Sequence, residues 1–145
     1  MVPTILLVRH GRTSANDRGV LAGRSPGVTL DEVGQEQATS LATRLAAVPF
    51  ATIVTSPLER TRETAAHIHA QQGQNASEVV VDERFIECDY GTWTGQSLAA
   101  LAKKPLWKQV QSHPSAVTFP AGESLMAMSM RAVSAIRDWT QQSRD

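Results

Sequence analysis

Side chains able to carry out group-transfer chemistry follow three apolar segments of this sequence. Arg9 and His10 come directly after residues 5–8 (Ile-Leu-Leu-Val), while Arg60 and Glu87 follow two later apolar segments. A neutral imidazole is a nucleophile with an ordinary pKa of about 6.5, a guanidinium fork suits oxyanions, and a carboxylic acid can protonate a leaving oxygen. Parallel strands end at one sheet edge, where ligands bind. The pattern therefore predicts one site that contains these four side chains.

The amino-terminal part of the chain is locally basic, although the whole chain is neutral. The sequence contains 14 Lys and Arg residues against 14 Asp and Glu residues, but residues 1–30 contain four arginines and a single aspartate. Such an excess beside a glycine-containing loop can concentrate a small anion, and a solvated basic face is the alternative interpretation. The net charge of zero disfavours nucleic acid and an anionic membrane as partners.

Length and composition indicate a single domain over residues 1–145 with an ordinary hydrophobic core. Hydrophobic residues make up 41% of the 145 residues, which is typical of globular proteins. The apolar run at residues 5–8 is too short for a membrane span or a signal-peptide core. The single cysteine, Cys88, cannot form an internal disulfide, as is typical of a reducing compartment. We therefore expect a cytoplasmic protein.

Strand-like and helix-like segments alternate along the chain, which predicts an α/β fold with a largely parallel sheet. We expect buried strands at residues 5–8, 51–55 and 79–81, with Asp31 capping the first long helix and Pro57 beginning the next. That second helix is expected to end near Gly73 and Asn75. Shorter helices are predicted at 98–104 and 106–112. A stripe on the last helix is assigned to the core; its members are Leu125, Met128, Ala132, Ile136 and Trp139.

In combination, four motifs resemble the histidine phosphatase superfamily, in its branch of phosphoglycerate mutase-like phosphatases and mutases. They are Arg-His-Gly at 9–11, Ser-Pro-Leu-Glu-Arg-Thr at 56–61, Glu-Cys-Asp-Tyr-Gly at 87–91 and Phe-Pro-Ala-Gly-Glu-Ser at 119–124. The resemblance extends from Thr4 to about Arg131. It implies a three-layer α/β/α fold with a largely parallel sheet.

The resemblance also implies roles for individual residues. His10 would be the nucleophile that becomes phosphorylated, Arg9 and Arg60 would bind the phosphoryl group, and Glu87 would donate the proton to the leaving oxygen. Further phosphate contacts are implied at Thr13 and Asn16. The expected activity is hydrolysis of a small phosphorylated metabolite through a phosphohistidine, with no metal or other cofactor.

Two alternatives to a phosphatase remain open. A phosphoglycerate mutase-type phosphotransferase would need to hold a second phosphate, and only Lys103, Lys104 and Lys108 offer further basic side chains for this purpose. A noncatalytic phosphate-binding domain is the other alternative. Members of the superfamily continue into another strand with a Ser-His-Gly-type motif, whose histidine stabilises the transferring group, and this chain ends at Asp145.

We therefore expect a domain that lacks its carboxyl-terminal strand or strands. A central sheet position left open would expose apolar faces and unpaired backbone groups. This predicts either marginal stability of the isolated chain or pairing with a second copy in a homo-oligomer.

Overall fold

The computed structural model describes residues 3–73 and 76–142, which form an α/β fold with a small parallel sheet and several helices. The α-helices are α1 (Ser14–Asp17), α2 (Glu32–Leu45), α3 (Glu59–Ala70), α4 (Leu98–Leu101), α5 (Pro105–Ser112) and α6 (Leu125–Gln142). The strands are β1 (Ile53–Thr55) and β2 (Val79–Val81). Short 3-10 helices occupy Glu83–Phe85, Gly91–Trp93 and Pro114–Ala116. None of the described helices is both long enough and apolar enough to cross a membrane.

The two strands pair in parallel, as the sequence predicted. Ile53 lies opposite Val79, and Thr55 lies opposite Val81. Parallel neighbours require a long crossover connection, which α3 supplies while it packs on α2. The carboxyl end of β1 leads directly into the segment that contains Arg60.

The prediction of a buried strand at residues 5–8 was wrong for the described structure. These residues belong to no strand, and their side chains are exposed, with Leu7 81% exposed and the other three between 44% and 47%. An apolar run forms a stable strand only where a neighbouring strand supplies hydrogen-bond partners and a packing surface. The two-stranded sheet does not reach this segment.

The helix boundaries agree with the sequence in part. Asp31 is the N-cap of α2, and its side chain accepts a 2.8 Å hydrogen bond from the Gly34 N–H. Pro57, in contrast, does not begin α3, because the backbone is still extended at Leu58, which is the N-cap. The helix ends at Ala70, and Gly73 follows with a positive φ of 75°. The predicted end at Asn75 lies outside the described residues.

The later helices are shorter or less buried than predicted. The segment 98–104 is helical only over Leu98–Leu101, and Pro105 is the first residue of α5 rather than a separator. Proline suits a first helical turn because its missing N–H would have no intrahelical partner there. The apolar stripe on α6 is half-buried instead of fully buried, while Ala135 on the same helix is completely buried.

Two separate apolar clusters hold these elements together. One lies between α2, α3 and β1 and includes Ala42, Ile53, Ala65 and Ile68. The other surrounds the loop after β2, where Leu125 and Met128 of α6 pack against its buried members. Those members are Cys88, Trp93, Leu101, Val117 and Phe119. Burial raises the pKa of the Cys88 thiol to about 12, so this cysteine remains a packed, protonated side chain.

Candidate active site

His10 is half-buried and held in a defined orientation by its neighbour. Its Nδ1 lies 2.6 Å from the carbonyl oxygen of Gly11. A carbonyl can only accept, so Nδ1 carries the proton and Nε2 keeps its lone pair when the ring is neutral. Burial lowers the pKa of His10, and the charges of Arg60 and Arg9 lower it further, against the opposing effect of the Gly11 hydrogen bond. The ring is thus prepared to act as a nucleophile through Nε2.

Arg60 reaches the same place from the first turn of α3. Its side chain is only 4% exposed, and Nη2 donates to the Gly23 carbonyl at 2.9 Å. One turn later, the Thr64 hydroxyl donates to the Arg60 carbonyl and accepts from the Gly11 N–H. Thr64 therefore ties the backbone beside His10 to the helix that carries Arg60.

Glu87 approaches from the loop after β2. Its Oε1 accepts hydrogen bonds from the Cys88 N–H at 2.8 Å and from the Tyr90 hydroxyl at 3.2 Å. Its Oε2 lies 3.9 Å from Arg60 Nη2, and the side chain is 37% exposed. Burial raises the pKa of Tyr90, and the negative charge of Glu87 raises it further, so the phenol remains a donor to the carboxylate.

These three side chains line one cavity of about 200 Å³. This volume is below the range of pockets that enclose a drug-sized ligand, and it suits a group of the size of a phosphoryl. The wall is completed by apolar and polar side chains from the segment between β1 and α3, from α3 and α6, and from the segment after β2. They are Ser56, Leu58, Thr61, Phe85, Ile86, Met128, Arg131 and Ala132.

The remaining predicted site residues lie outside this lining. Arg9 is exposed, although its charge acts on His10. Thr13 and Asn16 form a reciprocal cap of α1, in which Asn16 Oδ1 accepts from the Thr13 backbone at 3.0 Å and Thr13 Oγ1 accepts from the Asn16 N–H at 3.2 Å. The pair shapes the turn that comes after His10. The structure brings together His10, Arg60 and Glu87 but not the other three.

The local excess of positive charge is partly neutralised by acids from elsewhere in the fold. Arg12 pairs with Asp17 at 2.9 Å and with Asp31 at 2.8 Å. Arg24 pairs with Glu123 at 3.1 Å. These two arginines therefore stabilise loops, which leaves Arg9 and Arg60 as the arginines that influence His10 electrostatically.

A cluster of Arg24, Glu123 and Arg131, here called the loop anchor, contains none of the predicted site residues. Glu123 Oε1 accepts from Arg131 Nη2 at 2.6 Å and also from the Asp89 N–H at 3.0 Å. Both arginines donate to the carbonyl oxygen of Glu87, at 2.8 Å and 3.2 Å. The contact with Arg131 contributes most to lowering the pKa of Glu123. The loop anchor therefore fixes the backbone that carries Glu87.

The amino-acid sequence indicates the loop anchor only in part. Glu123 stands in the motif at 119–124, but its charge alone did not reveal a partner. Arg131 and Arg24 lie 8 and 99 residues from Glu123 along the chain, and pairing at the longer of these separations depends on the tertiary structure.

A larger groove of about 450 Å³ lies along α6 and contains none of the predicted site residues.

Most of the chain matches one known family and its relatives. The family described as histidine phosphatase superfamily (branch 1) matches residues 5–145. The bifunctional protein Rv2228c of Mycobacterium tuberculosis is 37% identical over 123 residues, which cover 83% of this chain and 32% of that protein. A 2,3-bisphosphoglycerate-dependent phosphoglycerate mutase of Brucella ovis is 34% identical over 132 residues, which cover 86% of this chain and 62% of that enzyme.

A solved structure shows the same fold. The mycobacterial glucosyl-3-phosphoglycerate phosphatase Rv2419c, in complex with VO3, superposes with a TM-score of 0.78 at 26% identity, over 89% of this chain and 63% of that one. The chain thus spans about a third of the first mycobacterial relative and less than two thirds of the Brucella enzyme. The resemblance inferred from the four motifs is confirmed. This chain belongs to branch 1 of the histidine phosphatase superfamily.

Proposed function

We propose that this chain binds the phosphoryl group of a small phosphorylated metabolite and hydrolyses the ester through a phosphohistidine at His10. The observation that carries the proposal is Arg60 Nη1, a buried guanidinium nitrogen without a hydrogen-bond partner, in a residue that lines the same cavity as His10 and Glu87. A buried donor without a partner is costly. A phosphoryl oxygen would supply the missing acceptor and a compensating charge.

The proposed reaction has two steps. In the first, His10 Nε2 attacks phosphorus and the bond to the ester oxygen breaks, while Glu87, which enters this step as the protonated acid, gives its proton to the leaving alkoxide. In the second, Glu87 accepts a proton from water as the water oxygen attacks phosphorus, and the bond from phosphorus to Nε2 breaks. Arg60 stabilises the equatorial oxygens in both transition states, and Arg9 contributes positive charge from the exposed side.

A phosphatase is favoured over a mutase by the distribution of basic side chains. Lys103, Lys104 and Lys108 are exposed and do not line the cavity. Arg131 does line it, but its charge is paired with Glu123 at 2.6 Å. A mutase retains its phosphorylated intermediate while it holds a second phosphate, which requires further cationic side chains near the first site. Mutase activity is nevertheless tested as well, because the relative from Brucella is named a phosphoglycerate mutase.

A noncatalytic phosphate-binding domain is the second candidate function. Within residues 3–73 and 76–142, His10 is the one histidine that lines the cavity. A site with one imidazole stabilises the charge on the transferring phosphoryl group less than a site with two imidazoles does. Such a domain would bind phosphate esters without turnover.

Hydrolysis of p-nitrophenyl phosphate by the full chain tests the proposal, together with calorimetric binding of inorganic phosphate and vanadate. His10→Ala should abolish hydrolysis and retain binding, whereas Arg60→Ala should weaken both. His113→Ala is the matched control, because His113 is exposed and contacts Ser112 away from the cavity.

The outcomes separate the candidates. Binding without hydrolysis by the folded wild-type chain would support the noncatalytic domain. Transfer of the phosphoryl group to a second hydroxyl compound, in place of its release as inorganic phosphate, would support the mutase. A folded wild-type chain that shows no binding and no hydrolysis would overturn the proposed function. Normal hydrolysis by His10→Ala would remove the assignment of His10 as the nucleophile.

A further inference from the structure

Two buried side-chain polar atoms among the described residues lack a hydrogen-bond partner, and both belong to residues that line the cavity. One is Arg60 Nη1, and the other is the hydroxyl oxygen of Ser56. Ser56 directly follows β1, whereas Arg60 lies in the first turn of α3. Two unsatisfied groups in the wall of one small cavity indicate a ligand that offers more than one acceptor oxygen.

The local backbone offers the Ser56 hydroxyl no ready acceptor. A serine in such a turn usually bonds to nearby backbone groups. Here Thr61 Oγ1 lies 2.9 Å from the Ser56 carbonyl oxygen and 2.7 Å from that of Leu58, and Thr55 Oγ1 lies 3.2 Å from the Ser56 carbonyl oxygen. Thr55 therefore donates to the Ser56 carbonyl oxygen, and the single hydroxyl proton of Thr61 is shared between the carbonyl oxygens of Ser56 and Leu58.

The donor character of Arg60 Nη1 also limits the class of ligand that can satisfy this cavity. Ser56 lines the same cavity as the Arg60 guanidinium. A guanidinium only donates, so a ligand that also reaches Arg60 Nη1 must bring an acceptor. A group that satisfies both residues at once must present acceptor oxygens to the hydroxyl and to Arg60. Tetrahedral oxyanions such as a phosphoryl group meet this requirement.

We propose that Ser56 is a further phosphoryl-binding residue, whose hydroxyl donates to one oxygen of the group held by Arg60. This inference rests on the proposed function, because it assigns a ligand contact within the same cavity. Ser56 supplies a neutral donor at the end of β1, and Arg60 supplies the charge. Together they would orient the phosphoryl group from two chain segments that meet at the start of α3.

Calorimetric titration of the full chain with inorganic phosphate and with vanadate tests this contact. Ser56→Ala should weaken the affinity for both anions by about tenfold, which corresponds to one hydrogen bond to a charged group. Ser56→Cys nearly keeps the volume but has a weak donor, and it should give a smaller loss. Ser129→Ala, on the exposed face of α6 away from this cavity, should bind as the wild type does.

Thermal unfolding without ligand separates a binding role from a structural one. If the hydroxyl serves the ligand, Ser56→Ala leaves the midpoint unchanged or raises it, because a buried group without a partner is removed. A lower midpoint with unchanged anion affinity would assign the hydroxyl to the fold and overturn the inference.

The same titrations keep this inference distinct from the proposed function. Loss of binding in Arg60→Ala with wild-type affinity in Ser56→Ala would overturn the role of Ser56 alone. Failure of the folded wild-type chain to bind either anion would overturn the proposed function and the role of Ser56 with it. Weaker binding in both variants, with Ser129→Ala unchanged, is the result expected.

Discussion

The two segments that bring His10 and Glu87 to the cavity are held in very different ways. Glu87 lies in a loop whose backbone accepts hydrogen bonds from Arg24 and Arg131, and the adjacent Cys88 is 1% exposed. His10, in contrast, follows residues 5–8, whose four apolar side chains are all exposed. Glu87 is therefore supported by contacts on its own loop, whereas His10 is supported only by contacts of the residues that follow it.

The contacts after His10 explain why its imidazole is nevertheless oriented. The Gly11 N–H bonds to Thr64 on α3, and a Cβ at Gly11 would lie 2.4 Å from the Gly34 carbonyl oxygen. This close approach fixes the turn against α2, and the cap between Thr13 and Asn16 continues it. The orientation of the imidazole therefore depends on the residues after the histidine, whereas the preceding segment contributes little.

The two halves of the site should therefore respond differently to substitution. Changes in the loop anchor should cost folding free energy and displace Glu87. Changes in residues 5–8 should cost little. A measured order opposite to this would show that the comparison fails.

The largest effect is expected from Gly91→Ala, in the loop after Glu87. Gly91 has a φ of 52°, and a Cβ there would lie 2.0 Å from the Pro120 carbonyl oxygen. Because backbone atoms from the 119–124 turn block that space, we expect a loss of about 3 kcal/mol or more in the free energy of unfolding. Chemical denaturation measures this loss.

Gly95→Ala is the matched control for that substitution. Gly95 has a φ of 82° in the same loop, but a Cβ there would meet nothing within 4 Å. Only the conformational cost of a left-handed alanine remains, about 1–2 kcal/mol. Equal losses of unfolding free energy in the two variants would show that the 119–124 turn is not in close contact with the loop after Glu87.

The next largest effect is expected from Glu123→Gln. The substitution removes the negative charge that Arg24 and Arg131 share. The two partly buried guanidinium groups keep their bonds to the Glu87 carbonyl oxygen but lose their anionic partner. Breaking a fully buried pair costs about 3–5 kcal/mol, and the partial exposure of these side chains reduces the expected loss to about 2 kcal/mol. Hydrolysis or anion binding should fall as well, since the Glu87 loop loses its anchor.

Asp17→Asn provides the comparison for an exposed ion pair. Asp17 pairs with Arg12 where both side chains are well exposed, at 58% and 38%. Such pairs contribute about 0–1 kcal/mol, so the variant should unfold within about 0.5 kcal/mol of the wild type. A loss in Glu123→Gln no larger than in Asp17→Asn would contradict the role of the loop anchor.

A smaller effect is expected in the dependence of stability on pH. Burial lowers the pKa of His10 below its ordinary value of 6.5, so the unfolded chain binds more protons than the folded chain between these two values. Stability should therefore fall as pH decreases from 6.5 through the lowered pKa, and this loss is absent above 6.5. His10→Asn should show a shallower fall over the same range.

The other histidines do not disturb this measurement, because both proteins contain them and their contributions cancel in the difference. Urea denaturation at several pH values between about 7 and 5, on either side of the ordinary histidine pKa, provides the two curves. Parallel curves for the wild type and His10→Asn would show that the imidazole is as solvated in the folded chain as in the unfolded one.

The sequence predicted which three side chains meet in the cavity better than it predicted the contacts that support them. His10, Arg60 and Glu87 were singled out because each follows an apolar segment and stands in a motif that resembles the histidine phosphatase superfamily. Ser56 and the loop anchor were missed. Their significance lies in hydrogen bonds, made or missing, that appear only when distant segments of the chain meet.

The fold shows the same limit at residues 5–8. An apolar, β-branched run predicts a strand, and β1 and β2 confirm that pattern where a neighbour is present. A strand's hydrogen bonds, however, belong to the pair rather than to one segment. The sequence of residues 5–8 therefore could not reveal whether a partner strand lies beside it.

Leu7→Ser should have the smallest effect and tests the other side of the comparison. Because Leu7 is 81% exposed, its replacement by serine should change the free energy of unfolding by no more than about 0.5 kcal/mol. Leu101→Ala is the contrasting variant, since Leu101 is completely buried beside Trp93. It should cost about 2–5 kcal/mol. Chemical denaturation at two protein concentrations measures both.

The concentration series decides what a different result at Leu7 would mean. If Leu7→Ser costs about 2 kcal/mol or more only at the higher concentration, a second copy of the chain covers residues 5–8, because association stabilises by mass action. A comparable cost at both concentrations would mean that the segment is buried within one chain in solution. In either case the segment before His10 would be supported as firmly as the loop that contains Glu87, and the difference between the two halves of the site would disappear.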